Sequence, residues 1–193
     1  MTESPPAANL GPPVPSDADR RSQYPSPSKE GGGTTTDSEL PDTVDLPGYA
    51  QVAPGIATGI RPFPAGIEWL KRRGYKSVLH LYAPGEDLAA ARRQFAGLRF
   101  LSLEVSAKTL SQSIYEDFVR IVEEADNQPI FVSDKTGAVA GGLWYLYFRV
   151  HKQQSDEKAR SEARRLGLNI DDDPDHKAMW LAVEKLRASM TTP

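Results

Sequence analysis

Asp134 is the residue whose type and position could do chemistry most directly. It follows the short apolar run 128–133 and begins the tetrapeptide Asp-Lys-Thr-Gly, after which a second apolar stretch starts at Ala138. A carboxylate at such a point can act as a nucleophile toward phosphorus. It can instead accept hydrogen bonds from the free backbone N–H groups of the helix that follows. The sequence therefore raises two roles for Asp134, a nucleophile and a structural cap.

The composition of the chain excludes several kinds of chemistry. None of its 193 residues is a cysteine, which excludes disulfides, thiolate metal sites and thiol catalysis. The formal net charge of −3 gives no electrostatic reason to expect nucleic acid as a partner. No apolar run approaches the roughly 20 residues that cross a membrane, and the opening MTESPPAANL lacks the features of a secretory signal. We therefore expect a cytoplasmic protein with neither nucleic acid nor a membrane as a partner.

Two compositional blocks divide the chain. Residues 1–45 are rich in Pro, Gly, Ser and Thr and offer few apolar side chains, so burial cannot offset the entropy of ordering them. We predict a disordered tail over 1–45, with docking of its Pro-rich segments on a peptide-binding domain as the alternative. Residues 46–193 have the composition of one globular domain.

The pattern of the second block predicts alternating strands and helices. Short apolar or alternating runs predict strands, and amphipathic stretches bounded by Pro, Ser or Gly predict helices. The predicted strands cover 49–59, 76–82, 98–105 and 128–133, and the predicted helices cover 64–74, 85–97, 111–127, 138–151, 155–167 and 173–190. This order predicts an α/β fold with three layers, a mostly parallel central sheet and helices on both faces. Ligand sites in such folds lie beyond the carboxyl ends of the strands, which is where the loop 133–137 falls.

The tetrapeptide at Asp134 resembles the phosphorylation motif of P-type ATPases and of the wider haloacid dehalogenase superfamily. The motif of the P-type ATPases reads Asp-Lys-Thr-Gly-Thr, and its fifth position is Ala138 in this chain. The resemblance implies an Asp134 nucleophile with Mg²⁺ held by further carboxylates, for which the cluster Asp171-Asp172-Asp173 with Asp175 is the candidate. The cluster lies between two predicted helices rather than after a strand, which favours a solvated turn and a helix cap.

A larger part of the chain, from about Tyr49 to about Leu168, resembles bacterial atypical dual-specificity phosphatases, which are tyrosine phosphatase-like. The resemblance rests on the phrases ATGIRPFPAGIEWLKRRGYKSVLHLY and GEDLAAARRQFAGLRFLSLEV, followed by a long helix and a strand that ends in the loop. The phosphate loop of that family follows His-Cys-x-x-Gly-x-x-Arg-[Ser/Thr]-Gly. Its two glycines fall in register at Gly137 and Gly142. The resemblance implies a tyrosine phosphatase-like fold with its phosphate loop at 133–142.

The reactive residues of the family loop are absent at their matching positions. The nucleophilic cysteine corresponds to Asp134 and the phosphate-binding arginine to Ala140, while the preceding histidine corresponds to Ser133 and the later hydroxyl to Gly141. Without a thiolate and an arginine, the family mechanism has neither its nucleophile nor its electrostatic clamp. No metal and no cofactor is expected. The remaining candidates for contact with a ligand are Asp134, Lys135, Thr136, Gly137 and Gly142.

The sequence therefore predicts a pseudophosphatase, a catalytically inactive phosphatase-like domain that binds a protein partner or, weakly, a phosphorylated ligand. In this interpretation the carboxylate of Asp134 accepts the loop N–H groups that would otherwise hold phosphate. The alternative is an Mg²⁺-dependent phosphoryl-transfer enzyme that uses Asp134 as its nucleophile.

Four residues outside the loop have titratable side chains that could join a site. His80 is predicted to be a buried core histidine with no visible acid partner, and His176 a surface residue on a helix. Glu86 and Asp87 are interpreted as favourable charge in the first turn of a helix. They also follow a strand in a region where related phosphatases can carry an acid.

Overall fold

The computed structural model describes residues 45–171 and 173–191, so the predicted disordered tail, apart from Asp45, lies outside the described residues. Within the described part, five strands form one sheet: β1 (Ala50–Ala53), β2 (Ile56–Ile60), β3 (Ser77–Tyr82), β4 (Arg99–Glu104) and β5 (Ile130–Asp134). Their spatial order is β1-β2-β5-β3-β4. β1 pairs antiparallel with β2, and every other pair is parallel. The predicted mostly parallel sheet is confirmed, and β5 lies at its centre.

The helices follow the predicted order. They are α1 (Pro64–Arg72), α2 (Leu88–Gln94), α3 (Gln112–Glu123), α4 (Ala138–Leu146), α5 (Asp156–Arg165) and α6 (Pro174–Thr191). The predicted helix 111–127 ends early, because Glu124 adopts an extended backbone before a short 3-10 turn at Ala125–Asn127. The predicted helix 138–151 ends in a π-helical turn at Tyr147–His151, in which the N–H of Lys152 bonds to the carbonyl of Tyr147.

Alternate residues of the central strand face two separate apolar clusters. Ile130 and Val132 of β5 belong to the larger cluster, to which α3, α4, α5 and α6 contribute. Phe131, between them, belongs to the smaller cluster, where it meets Ile67 and Leu70 of α1. Because successive side chains of a strand point to opposite faces, this division places helices on both faces of the sheet. The predicted three-layer arrangement is confirmed.

Helix α4 lies close against the elements that follow it. A Cβ on Gly141 would lie 2.9 Å from the Cβ of Leu168, and one on Gly142 would lie 2.9 Å from the Cγ of Met179. These close approaches bring the segment after α5 and the helix α6 directly onto the start of α4. The helix that follows the loop between β5 and α4 is therefore packed tightly against these later elements.

Among the described residues, no helix is both long enough and apolar enough to cross a membrane.

Candidate functional site

A cavity of about 610 Å³ opens at the carboxyl end of the sheet, where the sequence predicts a site. The loops after β3, β4 and β5 and the start of α6 form its walls. This volume falls in the range of small-molecule sites, and most of the wall is apolar. The charged side chains that line it are Glu86, Lys108, Asp134, Lys135 and Asp175.

Asp134 ends β5 with its side chain almost wholly buried, at 2% exposure. Its Oδ1 accepts a hydrogen bond from the N–H of Gly137 at 2.8 Å, and its Oδ2 accepts one from the N–H of Val139 at 2.9 Å. Both N–H groups belong to the loop and the first turn of α4, where a helix N-terminus would otherwise meet an oxyanion. The structural cap that the sequence predicts at Asp134 is present.

The same hydrogen bonds limit the ability of Asp134 to act as a nucleophile. Burial raises the pKa of its carboxyl, while the backbone N–H groups of Val139, Gly137 and Ala140 act in the opposite direction. Each oxygen is tied to the backbone, so attack on phosphorus would first require hydrogen bonds of the loop to break. This geometry favours the cap over the nucleophile.

Ala140 and Gly141, the positions that correspond to the arginine and the hydroxyl of the family loop in the resemblance, are both buried in the interior. Ala140 is buried and borders a space of only about 30 Å³, roughly the room of two water molecules. Gly141 packs against Leu168 too closely for a side chain. Ser133, which corresponds to the histidine, is wholly buried, and its Oγ has no hydrogen-bond partner among the described residues. None of these three residues lines the cavity.

The remaining loop residues fall into two groups. Lys135 is exposed at the cavity wall, whereas Gly137 is buried with a φ of +87°, a conformation that glycine adopts without strain. Gly142 lies behind the loop and does not line the cavity. The Oγ1 of Thr136 accepts the N–H of Ala138 at 3.3 Å, which adds a second cap to α4. Of the ligand candidates, only Asp134, Lys135 and Thr136 reach the cavity.

His176, on α6, contacts the loop between β5 and α4. The prediction of a surface residue is wrong, because its side chain is buried. Its Nδ1 accepts the N–H of Asn169 at 3.0 Å, and its Nε2 lies 3.3 Å from the carbonyl oxygen of Thr136, to which it can donate. No sequence pattern predicts this contact, since Thr136 and His176 are 40 positions apart.

A cluster of Arg61, His80 and Glu86 lies beside the loop. The Oε1 of Glu86 accepts from the guanidinium of Arg61 and lies 3.0 Å from the Nε2 of His80. The N–H of Arg61 donates to the carbonyl oxygen of Asp134 at 2.9 Å, which ties the cluster to the end of β5. His80 is a buried core histidine, as predicted, but it has an acid partner that the sequence did not reveal.

The interpretation of Glu86 as charge in a helix first turn is wrong. Helix α2 begins at Leu88, with Asp87 as the capping residue that accepts the N–H groups of Ala89 and Ala90. Glu86 precedes the cap and turns back toward the sheet. The available signal was its place at the carboxyl end of a parallel strand, which is where functional side chains gather.

The charges of this cluster shift the pKa values of its members. Burial lowers the pKa of His80, although its contact with Glu86 opposes the shift. Partial burial by itself would raise the pKa of Glu86, but the hydrogen bond from His80 and the charge of Arg61 outweigh it and hold that pKa below its usual 4.5. At neutral pH we therefore expect an ionised Glu86 beside a neutral His80.

The acidic cluster before α6 works as a helix cap. The Oδ1 of Asp173 accepts the N–H groups of Asp175 and His176 at 2.8 and 3.3 Å. Asp171 forms an ion pair with Arg164, and Asp172 lies outside the described residues. No group of three or more carboxylates and histidines in the described part of the chain is arranged to hold a metal ion.

Solved structures with this arrangement of elements include a named phosphatase and a complex with phosphotyrosine. TpbA of P. aeruginosa in complex with pTyr shares 19% identity, with 83% of this chain and 100% of that chain covered and a TM-score of 0.58. The core catalytic domain of the PP-IP phosphatase SIW14 from S. cerevisiae shares 15% identity over 76% of this chain and 94% of that chain, with a TM-score of 0.53. Tk-PTP in its active form shares 14% sequence identity, with 74% of this chain and 97% of that chain covered and a TM-score of 0.56. No protein-family profile matches the chain, and neither does any curated protein.

These likenesses establish a tyrosine phosphatase-like fold for the chain. They also correct the predicted function. The prediction of an inactive binding module is wrong by this comparison, because the neighbours include the catalytic core of a PP-IP phosphatase and a protein named Tk-PTP in its active form. The alternative, Mg²⁺-dependent phosphoryl transfer through Asp134, was inferred from the resemblance to P-type ATPases. The fold is instead the one implied by the resemblance to tyrosine phosphatase-like proteins.

Proposed function

We propose that this chain hydrolyses phosphate esters in the cavity beside β5 by a reaction that does not use a thiol. The observation that carries the proposal is the cavity itself, which lies at the phosphate-loop position of a fold shared with TpbA, SIW14 and Tk-PTP. In an α/β fold of this kind, the carboxyl edge of the sheet is where substrates bind.

The proposal includes the loss of the cysteine-dependent route at the loop. The chain contains no cysteine, and the backbone N–H groups of Gly137 and Val139 are already bonded to the carboxylate of Asp134. A phosphate group in the same position would meet a carboxylate at about 4 Å, a repulsion of about 4 kcal/mol at a partly screened dielectric. The loop is therefore degenerate with respect to thiolate chemistry, and the substrate phosphate lies outside the cradle that Asp134 fills.

Two lysines supply the positive charge that a phosphate requires. Lys108 comes from the loop after β4 and Lys135 from the loop after β5, and both line the cavity with exposed side chains. A hydrogen bond between a charged donor and a phosphate contributes about 1.5–3 kcal/mol. The apolar part of the wall, which includes Leu81, Val105 and Met179, packs against the group that the phosphate esterifies.

Water is the nucleophile in this reaction, because the cavity presents no thiolate and the carboxylate of Asp134 is engaged by the backbone. A reaction without a covalent intermediate and without an arginine clamp lacks two large sources of rate enhancement. We therefore expect slow turnover, fastest for aryl esters, whose leaving groups are stable as anions.

The experiment is hydrolysis of p-nitrophenyl phosphate by the full chain, with phosphate release measured in the presence and absence of EDTA. Slow turnover that persists in EDTA is the expected result. Replacement of Lys108 and Lys135 by Ala should raise KM by about tenfold or more, since each contact contributes more than 1.4 kcal/mol. Lys158→Ala is the matched control, because Lys158 is exposed on α5 and does not line the cavity. Absence of turnover in the parent chain overturns the proposal.

The phosphate ester is the only partner in this proposal, which involves neither nucleic acid nor a membrane. The cytoplasmic location remains a prediction from the sequence.

A further inference from the structure

We infer that Glu86 accepts the proton of the attacking water in this cavity, and that His80 and Arg61 are positioning residues that aim and hold its carboxylate. The inference rests on the proposed hydrolysis and names its proton-transfer group. It begins from a cluster of three polar side chains that contact one another beside the loop.

The two oxygens of Glu86 have different surroundings. Its Oε1 is engaged by the guanidinium of Arg61 and by the ring of His80. Its Oε2 has no hydrogen-bond partner among the described residues, and the side chain lines the cavity with 23% exposure. One oxygen therefore anchors the carboxylate, and the other is available to a water molecule in the cavity.

His80 is held too firmly to turn away from Glu86. Its side chain has no exposure, and its ring lies 6.0–6.4 Å from the ring centres of Tyr82, Phe95 and Phe100. Its Nδ1 is buried without a partner, so a proton placed there would have no acceptor. A proton on Nε2 donates to Glu86 at 3.0 Å, and this tautomer is the favoured one because it makes that hydrogen bond. The guanidinium of Arg61, 3.3 Å from the same nitrogen, is then a neighbouring donor whose hydrogen bond goes to Glu86.

Arg61 connects the carboxylate to the loop. Its backbone N–H bonds to the carbonyl oxygen of Asp134, and its guanidinium reaches the Oε1 of Glu86. The ion pair is partly shielded from solvent, with side-chain exposures of 32% for Arg61 and 23% for Glu86. This arrangement fixes the distance between Glu86 and the end of β5, where the substrate phosphate is proposed to lie.

The charges that face Glu86 favour its ionised form. Arg61 faces it from the end of β2 and His80 from β3, and together they hold the pKa of Glu86 below 4.5 against the effect of partial burial. The other charged groups at the cavity wall are Lys108, Asp134, Lys135 and Asp175. Glu86 is ionised and can accept a proton throughout the neutral range, and it loses this capacity as the pH falls through its lowered pKa. The lowered pKa also makes it a weaker base than a carboxylate whose pKa lies near neutral pH, so its contribution belongs at the low end of general base catalysis.

The proposed step conserves atoms and charge. The water oxygen forms a bond to phosphorus while its proton passes to the Oε2 of Glu86. The ester P–O bond breaks, and its electron pair leaves on the substrate oxygen, which takes a proton from solvent. Glu86 then releases its proton to solvent, and the products are inorganic phosphate and the alcohol or phenol.

The first test compares the full chain with Glu86→Gln, using p-nitrophenyl phosphate over a range of pH. General base catalysis contributes about 10²- to 10⁴-fold, so kcat should fall by about 100-fold or more while KM changes little. The fall in rate at acid pH, present in the parent, should disappear in Glu86→Gln. Glu104→Gln is the matched control, since Glu104 is exposed at the end of β4 and does not line the cavity.

The second test concerns the positioning residues. His80→Gln keeps a side-chain N–H donor and should retain most of kcat, whereas His80→Leu removes the donor and should lower kcat with little change in KM. Carboxyl NMR titration of the full chain gives a readout that does not depend on activity. The pKa of Glu86 should rise in His80→Leu and in Arg61→Met, because each variant removes one of the two groups that lower it.

The outcomes separate the two proposals. A parent chain without turnover overturns the proposed hydrolysis and the role of Glu86 with it. A parent chain that turns over, with Glu86→Gln equally active, overturns the role of Glu86 and leaves the hydrolysis in place. A pKa of Glu86 that neither His80→Leu nor Arg61→Met changes overturns the positioning role.

Discussion

The carboxylate of Asp134 determines what the loop between β5 and α4 can hold. A carboxylate at the end of β5 reaches two N–H groups of its own loop, at Gly137 and Val139, with hydrogen bonds of ordinary length. The negative charge that such a helix N-terminus favours is then supplied by the chain itself. A ligand anion has to displace a buried side chain or bind elsewhere in the cavity.

Asp134→Ala should destabilise the chain and open an anion site. The variant leaves the N–H groups of Gly137 and Val139 without acceptors, and the loss of a cap costs about 0.5–2 kcal/mol, with more for buried donors. Inorganic phosphate should then raise the melting temperature of Asp134→Ala more than that of the parent. Asp87→Ala is the control, since Asp87 caps α2 at an exposed position where water can replace it. Equal effects of phosphate on all three proteins would contradict the self-filled cradle.

The residues of the site were predictable from the sequence only where they are close along the chain. The cap at Asp134 follows from its position just before a helix, and its partners lie three and five positions later. The cluster of Arg61, His80 and Glu86 depends on β2, β5 and β3 lying side by side. The sequence predicts parallel strands but not their spatial order, so it could not bring Arg61 to Glu86.

At the scale of elements, the start of α4 depends on two adjacent glycines that allow close packing. A Cβ on Gly141 would meet the Cβ and the backbone Cα of Leu168 at 2.9 and 3.2 Å, whereas one on Gly142 would meet the Cγ of Met179 at 2.9 Å and the Cγ2 of Val183 at 3.0 Å. The backbone of Leu168 cannot yield and the β-branched Val183 is stiff, whereas the side chain of Met179 can adopt another rotamer. The two positions therefore differ in how far they tolerate a methyl group.

Gly141→Ala should destabilise the chain more than Gly142→Ala. Overpacking costs about 1–3 kcal/mol, and alanine recovers about 0.5–1 kcal/mol of helix propensity at either position. We expect a net loss of about 1–2 kcal/mol for Gly141→Ala and a smaller loss for Gly142→Ala, where Met179 can move but Val183 cannot. Urea unfolding followed by the fluorescence of the buried Trp144 measures both. A larger loss at Gly142 would show that α6, not the segment after α5, is the rigid neighbour.

The order and type of the elements were predictable because each has its own apolar period and boundary residues. The π-helical turn at Tyr147–His151 was not, since five residues are too few for a period to separate it from an α-helix. The inward turn of Glu86 was not predictable either, because it depends on where Asp87 caps α2.

At the scale of the whole molecule, fold and chemistry are set by different residues. Identities of 14–19% with TpbA, SIW14 and Tk-PTP accompany the same arrangement of strands and helices, because the apolar pattern of the strands is what fixes the layers. In the register that the resemblance implies, the loop of this chain differs from the family pattern at Ser133, Asp134, Ala140 and Gly141. The activity of the chain has to be argued from its own side chains.

The contacts of Asp45 and Leu46 predict where the folded unit begins. The side chain of Leu46 is buried in the smaller cluster with Ala57 and Ile67, and the carbonyl of Asp45 accepts the N–H of Phe63 at 3.0 Å. Composition predicts disorder over residues 1–45, but the hydrogen bond of Asp45 includes that residue in the folded unit, so the boundary is predicted to fall just before Asp45.

A chain that begins at Asp45 should therefore unfold at nearly the same temperature as the full chain. A chain that begins at Pro47 loses the buried side chain of Leu46, a loss of about 2–5 kcal/mol, and should melt about 5–15 °C lower. Differential scanning calorimetry of the three chains measures both differences. A fall in melting temperature on removal of 1–44 alone would show that the tail contributes to the fold. The tail would then have to bury side chains that its composition scarcely provides, and the predicted boundary would move toward the N-terminus.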